Sequence, residues 1–282
     1  MPIPARYQAD AQAIIAYRHQ NGADYWATPD GRLLKGGPFS TLECVSYLLE
    51  LGMEPDDPLL RGAAALIWQA QRPDGRFRLS PSGAIYPCHT IHAAHALCLL
   101  GQGGDPRLGK TFRHLLDIQM AEGGWRCNKF SFGRGPETQY ANPHPTLTAL
   151  DAFRFSPQWA GAPALEGAVA LLLKHWRIRI PIGPCHYGIG SRFMSVEYPF
   201  RNYNLFYYVY VLSFYPSARR DERFLEALEA LTNTLEQGQI VPRRVPRQMA
   251  DMAFCRQGQP SALATQRYRQ ILDNMTQCPR TV

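Results

Sequence analysis

The chain has 282 residues, of which 45% are hydrophobic and 19% charged, and a formal net charge of +7. That composition folds, in one domain or at most two, and excludes an intrinsically disordered chain. The basic residues are scattered apart from Arg243, Arg244 and Arg247, and no recognition-helix or aromatic RNA-binding signature accompanies them, so no nucleic-acid partner is expected.

The N-terminal MPIPARYQADAQ carries no apolar core of a secretory signal. The longest apolar runs, such as AVALLL, fall far below the roughly 18 residues of a membrane span. Seven cysteines, an odd number, are spread along the chain. The reading is a reduced, cytoplasmic protein without a transmembrane segment.

In chain order, a first helix is expected near residues 12–20, closing in the corner QNGADYW. PFSTLECVSYLLELG and PLLRGAAALIWQAQ follow, the second ending in QRPDGRF. PCHTIHAAHALCLLG and PRLGKTFRHLLDIQM come next, ending in QMAEGGW. Then come PHPTLTALDAFRF with PALEGAVALLLKHW, RNYNLFYYVYVLSF with DERFLEALEALTNTLEQ, and finally QPSALATQRYRQIL. No alternating strand pattern of useful length appears, so the class is all-α. Residues 239–260, proline-rich and basic, form a long loop or lid before the last helix.

One helix of each pair repeats. Aligned on Thr41, Thr90, Thr146 and Asn204, the copies lie 49, 56 and 58 residues apart, and a fifth, weaker copy begins at Ser261. A small polar residue opens each, as a helix start requires. One helical stripe is apolar (Leu42, Ile91, Leu147 and Leu205; Val45, Ala94 and Leu150), with Arg154 as an exception. Another face carries Glu43, His92, His95 and Asp151. Acids and imidazoles are costly inside an apolar core, so this face is expected to line a central cavity. There, imidazole and carboxylate suit general acid–base catalysis near neutral pH. The rival reading is a buried polar network. Tyr203, Phe206, Tyr207 and Tyr210 fall at i, i+3, i+4 and i+7. They make either a wall for a greasy chain or cation, or plain core.

A glutamine ending a helix, then glycine and an aromatic, resembles the repeat corners of the terpenoid cyclase and protein prenyltransferase α/α-toroid superfamily. The resemblance spans residues 10–275. It implies a single domain over 1–282, an α/α toroid of about five inner/outer helix pairs around a central cavity. It also implies an enzyme acting on an apolar, isoprenoid diphosphate-like substrate. An ordinary helical solenoid is the alternative.

The stretch AEGGWRCNKFSFGR adds to the resemblance. Arg126-Cys127-Asn128-Lys129 after a Gly-Gly-aromatic corner is similar to the β subunit of protein farnesyltransferase. That implies a diphosphate seat at Arg126 and Lys129, which Arg134 extends. The zinc-binding Asp-x-Cys that follows in that family is replaced here by Phe132-Gly133-Arg134. The acidic run Glu54-Pro55-Asp56-Asp57 resembles the cyclases' Asp-x-Asp-Asp, but it precedes Pro58 as a helix cap would. A different toroid family, the lanthionine synthetase cyclases, is resembled by Trp125-Arg126-Cys127 and Cys185-His186. Zinc held by Cys127, Cys185 and His186 is then implied, in a lyase or thiol-addition enzyme. A third alternative is a non-catalytic toroid binding a lipid or a partner.

Overall fold

The structure is a computed structural model describing residues 3–276. The remaining residues of the expected 1–282 domain, Cys278 among them, lie outside the described residues. The architecture is all-helical, and the described residues contain no strand, only isolated bridges. The helices are α1 (Gln8–Ala16), α2 (Thr41–Glu50), α3 (Pro58–Gln69), α4 (Pro87–Leu97), α5 (Pro106–Asp117), α6 (Pro143–Phe153), α7 (Ala164–Ile178), α8 (Leu205–Leu212), α9 (Pro216–Arg219), α10 (Glu222–Thr232) and α11 (Ala262–Thr276). No helix is long and apolar enough to cross a membrane.

Local chemistry starts these helices where the sequence places them. Asp57 caps α3 by accepting from the Leu59 amide at 2.8 Å, with Pro58 in the first turn. Asp105 and Asp221 do the same for α5 and α10. Each cap contributes about 1 kcal/mol. The acidic run before Pro58 is thus a helix start. The short α9 was not anticipated.

The chain forms two compact units. Among the described residues, one comprises 3–118 with 151–161; the other comprises 119–150 with 162–276. In the first unit, α2 packs on α1, α3 and α4, and α4 packs on α3 and α5. In the second, α8 packs on α10 and α11, and α7 on α9 and α10. α8 is buried on every side, which is why its sequence is apolar throughout.

The repeated corners have a definite job. In the first unit the Gln71 amide donates to Arg107 O and Thr111 Oγ1, both at 3.0 Å. Gly75 has positive φ, and a Cβ there would meet the Lys110 carbonyl carbon at 2.7 Å. In the second unit the Gln119 amide donates to Ala164 O at 2.9 Å, and Gly123 presses on Gly167. In each unit the corner glutamine and glycine therefore pack on the start of a later helix, α5 in the first unit and α7 in the second. The corner aromatic is tied as well: the Phe77 amide donates to Thr90 Oγ1, and the Trp125 amide to Thr146 Oγ1, each at 3.1 Å. Thr90 and Thr146 are thus acceptors for their corners, whereas Thr41 donates its hydroxyl to Tyr25 O at 2.8 Å. In the last copy that acceptor is Thr265, which takes the Ile240 amide at 3.0 Å. Ser261 instead accepts from Ala264 as a cap, so the fifth copy aligns four residues later than its serine indicates.

Residues 239–260 are packed into the second unit. Ile240, Val241, Met249, Phe254 and Cys255 are buried, and Phe254 meets Tyr198 edge-on at 5.7 Å.

Candidate functional site

Among the described residues, titratable side chains gather in both units. In the first unit, His95 on α4 points Nε2 at Asp151 Oδ2, 2.8 Å away. Arg154 Nε donates to the other carboxylate oxygen at 2.6 Å. His95 and Asp151 are 3% and 2% exposed. Burial alone would raise the Asp151 pKa, but Arg154 and His95 outweigh it and hold the carboxyl well below the usual range. Burial, with the Asp151 charge nearby, pushes the Cys98 thiol up to about 12, so it stays protonated. Arg154 also stacks on Phe155.

Among the other expected proton-transfer residues, Glu43 is engaged in its own helix. It closes the capping box of α2, its Oε2 accepting from Ser40 Oγ at 2.7 Å and from the Ser40 amide at 3.3 Å. Burial raises its pKa, partly offset by those bonds. His92 is half-buried, one turn before His95 on α4.

In the second unit, the loop 125–134 packs against the loop 183–190. The Phe132 amide donates to Pro184 O at 3.0 Å, and the Cys185 thiol donates to Cys127 O at 3.3 Å. The two corners compared in the sequence are brought together. Burial raises the Cys185 pKa, the adjacent Cys127 thiol raises it further, and Lys129 pulls it down. His186 stands at φ +58, with its Nε2 3.8 Å from Glu137. Cys127 is fully buried. Among the described residues, no three His, Cys, Asp or Glu side chains group in a way that holds a metal. Cys127 and Cys185 meet, while His186 is turned to Glu137, so the three expected zinc ligands do not converge in this conformation.

Of the expected anion seat, Arg126 is half-buried and donates to Gln139 Oε1 at 3.1 Å, whereas Lys129 and Arg134 are exposed. Between them Phe130 and Phe132 are 48% and 67% exposed. Their rings stack at 5.2 Å and 16°.

Next to this loop lies a cleft of about 460 Å³, lined by His144, Cys185, His186, Tyr187, Gly188, Arg192, Glu197, Asn202 and Tyr203. Two tyrosine–histidine pairs organise it. His144 Nε2 lies 2.9 Å from Arg201 O, and its Nδ1 lies 3.2 Å from the Tyr187 hydroxyl. His175 repeats the pattern, Nε2 at 3.0 Å from Ile180 O and Nδ1 at 2.7 Å from the Tyr203 hydroxyl. A carbonyl only accepts, so each Nε2 carries the proton. Burial lowers both imidazoles to about 4, so the rings are neutral and each Nδ1 accepts from its tyrosine. His144 is half-buried, with one edge reaching the cleft. Burial also pushes the Tyr203 phenol well up.

Glu197, 6% exposed, accepts at Oε1 from Arg192 at 3.1 Å and from Asn202 at 3.2 Å. The chain crosses here beside residue 244, where the Tyr198 amide donates to Arg244 O. Of the expected aromatic wall, Tyr203 lines the cleft. Phe206 and Tyr207 are fully enclosed around Phe200. Tyr210 donates to Gln270 Oε1 at 3.1 Å.

Sequence reasoning passed over Arg154, His175, Tyr187 and Glu197 as site residues. Only Arg154 left a signal, as the charge interrupting an apolar stripe. The other three stand in no motif, and only folding gathers them. No protein-family model matches the chain, and no curated protein matches it.

Proposed function

We propose that the chain is an enzyme of the terpene cyclase/prenyltransferase-like type, an α/α toroid whose substrate is an apolar molecule with a diphosphate-like head. The observation that carries this reading is the loop 126–134. Two stacked, exposed phenylalanines sit between the cations Lys129 and Arg134, beside a cleft of titratable groups. Exposed apolar surface of this kind marks a binding site, and guanidinium and ammonium groups at its edges match phosphate oxygens. The corners, each packing its glutamine and glycine on a later helix, support the toroidal winding. In this reading Tyr203, on the wall of the cleft, flanks the apolar chain.

Farnesyl diphosphate and farnesol, titrated into the full chain by calorimetry, test this. The diphosphate is expected to bind at least ten times more tightly, and the double variant Lys129→Ala/Arg134→Ala to abolish that preference. Equal binding of the two compounds would end the proposal.

A second reading, a zinc-dependent lyase or thiol-addition enzyme, rests on the contact between Cys185 and Cys127. It requires His186 to leave Glu137. Its test is elemental analysis of the purified chain: about one zinc per chain, lost in Cys185→Ala, supports it.

A further inference from the structure

Cys127 and Cys185 stand 58 residues apart in the sequence, and folding brings them into contact. The Cys185 thiol donates to Cys127 O at 3.3 Å, and the two thiols lie within hydrogen-bond reach of each other. Both backbones are clamped. The Cys127 amide donates to Asn142 Oδ1 at 2.6 Å, and the Asn142 amide donates to Trp125 O at 2.9 Å. Cys185 belongs to a tight turn. Ile182 and Tyr187 exchange backbone bonds across it at 3.0 and 3.2 Å, and the His186 amide donates to Gly183 O at 2.9 Å. Gly183 lets this turn lie close to the Cys127 loop: its φ is +74, and a Cβ there would meet Asn142 Nδ2 at 2.6 Å. The Phe132 amide joins the two loops by donating to Pro184 O. Adjacent sulfurs are thus a built feature of the second unit. They differ in access. Cys127 is 0% exposed, whereas Cys185 is half-buried and lines the cleft of about 460 Å³. A reagent entering the cleft meets Cys185, with Cys127 beside it.

We propose that Cys127 and Cys185 are a reversible disulfide pair, with Cys185 as the attacking thiol, Cys127 as the resolving thiol and a small-molecule disulfide such as oxidised glutathione as the oxidant. The Cys185 thiolate attacks one sulfur of the reagent, whose S–S bond breaks, and one glutathione thiolate leaves. The Cys127 thiolate then attacks the Cys185 sulfur of the mixed disulfide, and the second glutathione thiolate leaves. Two protein thiols are oxidised, two glutathione thiols are formed, and the protons given up by the cysteines end on them through water. The new bond ties the loop 125–134 to the loop 183–190. It also removes both sulfurs as nucleophiles and as metal donors. In a reducing compartment such a pair is a switch rather than a permanent staple. The proposal goes beyond both functional readings and needs neither a diphosphate nor zinc.

The full chain, treated with a chelator and kept folded, is incubated with about 5 mM oxidised glutathione at about pH 8, then alkylated and mapped by mass spectrometry. Peptides rather than the intact mass carry the result, because Cys278 lies outside the described residues. A cross-linked peptide joining Cys127 to Cys185 is expected as the dominant disulfide, and dithiothreitol to remove it. In Cys127→Ala, Cys185 is expected to retain glutathione as a stable mixed disulfide. In Cys185→Ala, Cys127 is expected to remain a thiol. Two cysteines that merely pack together would leave both variants unmodified. If Cys127→Ala does not fold, as its circular dichroism would show, the map of the unaltered chain and that of Cys185→Ala decide. No cross-link in the folded chain, a cross-link that forms only in urea, or glutathione on Cys127 in a folded Cys185→Ala overturns the proposal. The diphosphate titration and the zinc analysis use the reduced chain, so their results and this one fail separately.

Discussion

The two histidine clusters solve opposite electrostatic problems. His95 sits against a carboxylate that a guanidinium also holds, so the first unit buries charge and compensates it. His144 and His175 sit against phenols and carbonyls, so the second unit buries imidazoles and keeps them neutral. A buried charge needs partners from several elements; a buried neutral ring needs only one donor and one acceptor in line. The first arrangement is rigid in charge, while the second leaves its surroundings chemically adaptable. The cleft of about 460 Å³ lies beside the second.

Acid separates them most strongly. The folded pKa of His144 and His175 lies near 4, below the ordinary 6.5. Between those values the unfolded chain binds protons that the folded chain refuses. Stability is therefore complete above about pH 6.5 and falls as pH drops towards 4, by up to about 3 kcal/mol per ring. Asp151 has a depressed pKa, so its contribution is lost only below about pH 4. Urea unfolding at pH 7 and 4.5 measures the total. Hydrogen exchange, corrected for intrinsic rates, should show amides near 144 and 175 opening at pH 4.5 while those near 95 and 151 stay protected. Equal loosening of both would break the contrast.

Asp151→Asn comes next. It leaves Arg154 and His95 facing a neutral amide in a buried place, and the expected cost is about 3 kcal/mol, read from the urea midpoint. If the midpoint holds while an activity disappears, the cluster is proton-transfer machinery before it is structural support.

How far the sequence foretold these clusters follows from distance along the chain. The helices and corners were legible because each is a local pattern: a cap before Pro58, a Gln and a positive-φ glycine before Phe77 or Trp125. The Cys127 and Cys185 loops were legible as a pair because each repeats a corner motif. The Tyr187–His144 pair was not, since its members lie 43 residues apart and neither residue type marks a partner. Glu43 looked free on a polar face because its acceptor role towards Ser40 is also met by an ordinary N3 glutamate. Phe206 and Tyr207 looked like a wall because an i, i+1 pair on a wholly buried helix has no outward side for periodicity to reveal.

A smaller effect tests the hydrogen bonds between the tyrosines and the imidazoles. Tyr203→Phe removes the donor to a buried Nδ1 and is expected to cost about 2 kcal/mol. Tyr187→Phe acts beside an open cleft, where water can replace the lost hydroxyl, and should cost about 1 kcal/mol or less. The order of the two, measured by thermal unfolding, matters more than either value. A reversal would place the Tyr187 pair in the sealed core.

The smallest expected effect is on stability itself. Lys129 and Arg134 are exposed, so Lys129→Ala/Arg134→Ala should change the unfolding free energy by no more than about 0.5 kcal/mol. Phe130 and Phe132 are different: they hold apolar surface in water, stacked on each other with the Lys129 ammonium 5.3 Å from the Phe130 ring. Replacing both by Ser removes exposed apolar area and should leave stability unchanged or slightly raised. A surface that the fold does not need, carried at some cost in exposure between two cations, is what a ligand loop looks like in energetic terms. A clear fall in stability with Phe130→Ser/Phe132→Ser would show instead that the pair packs the Cys185 loop in place, and the cleft would then owe its shape to those rings.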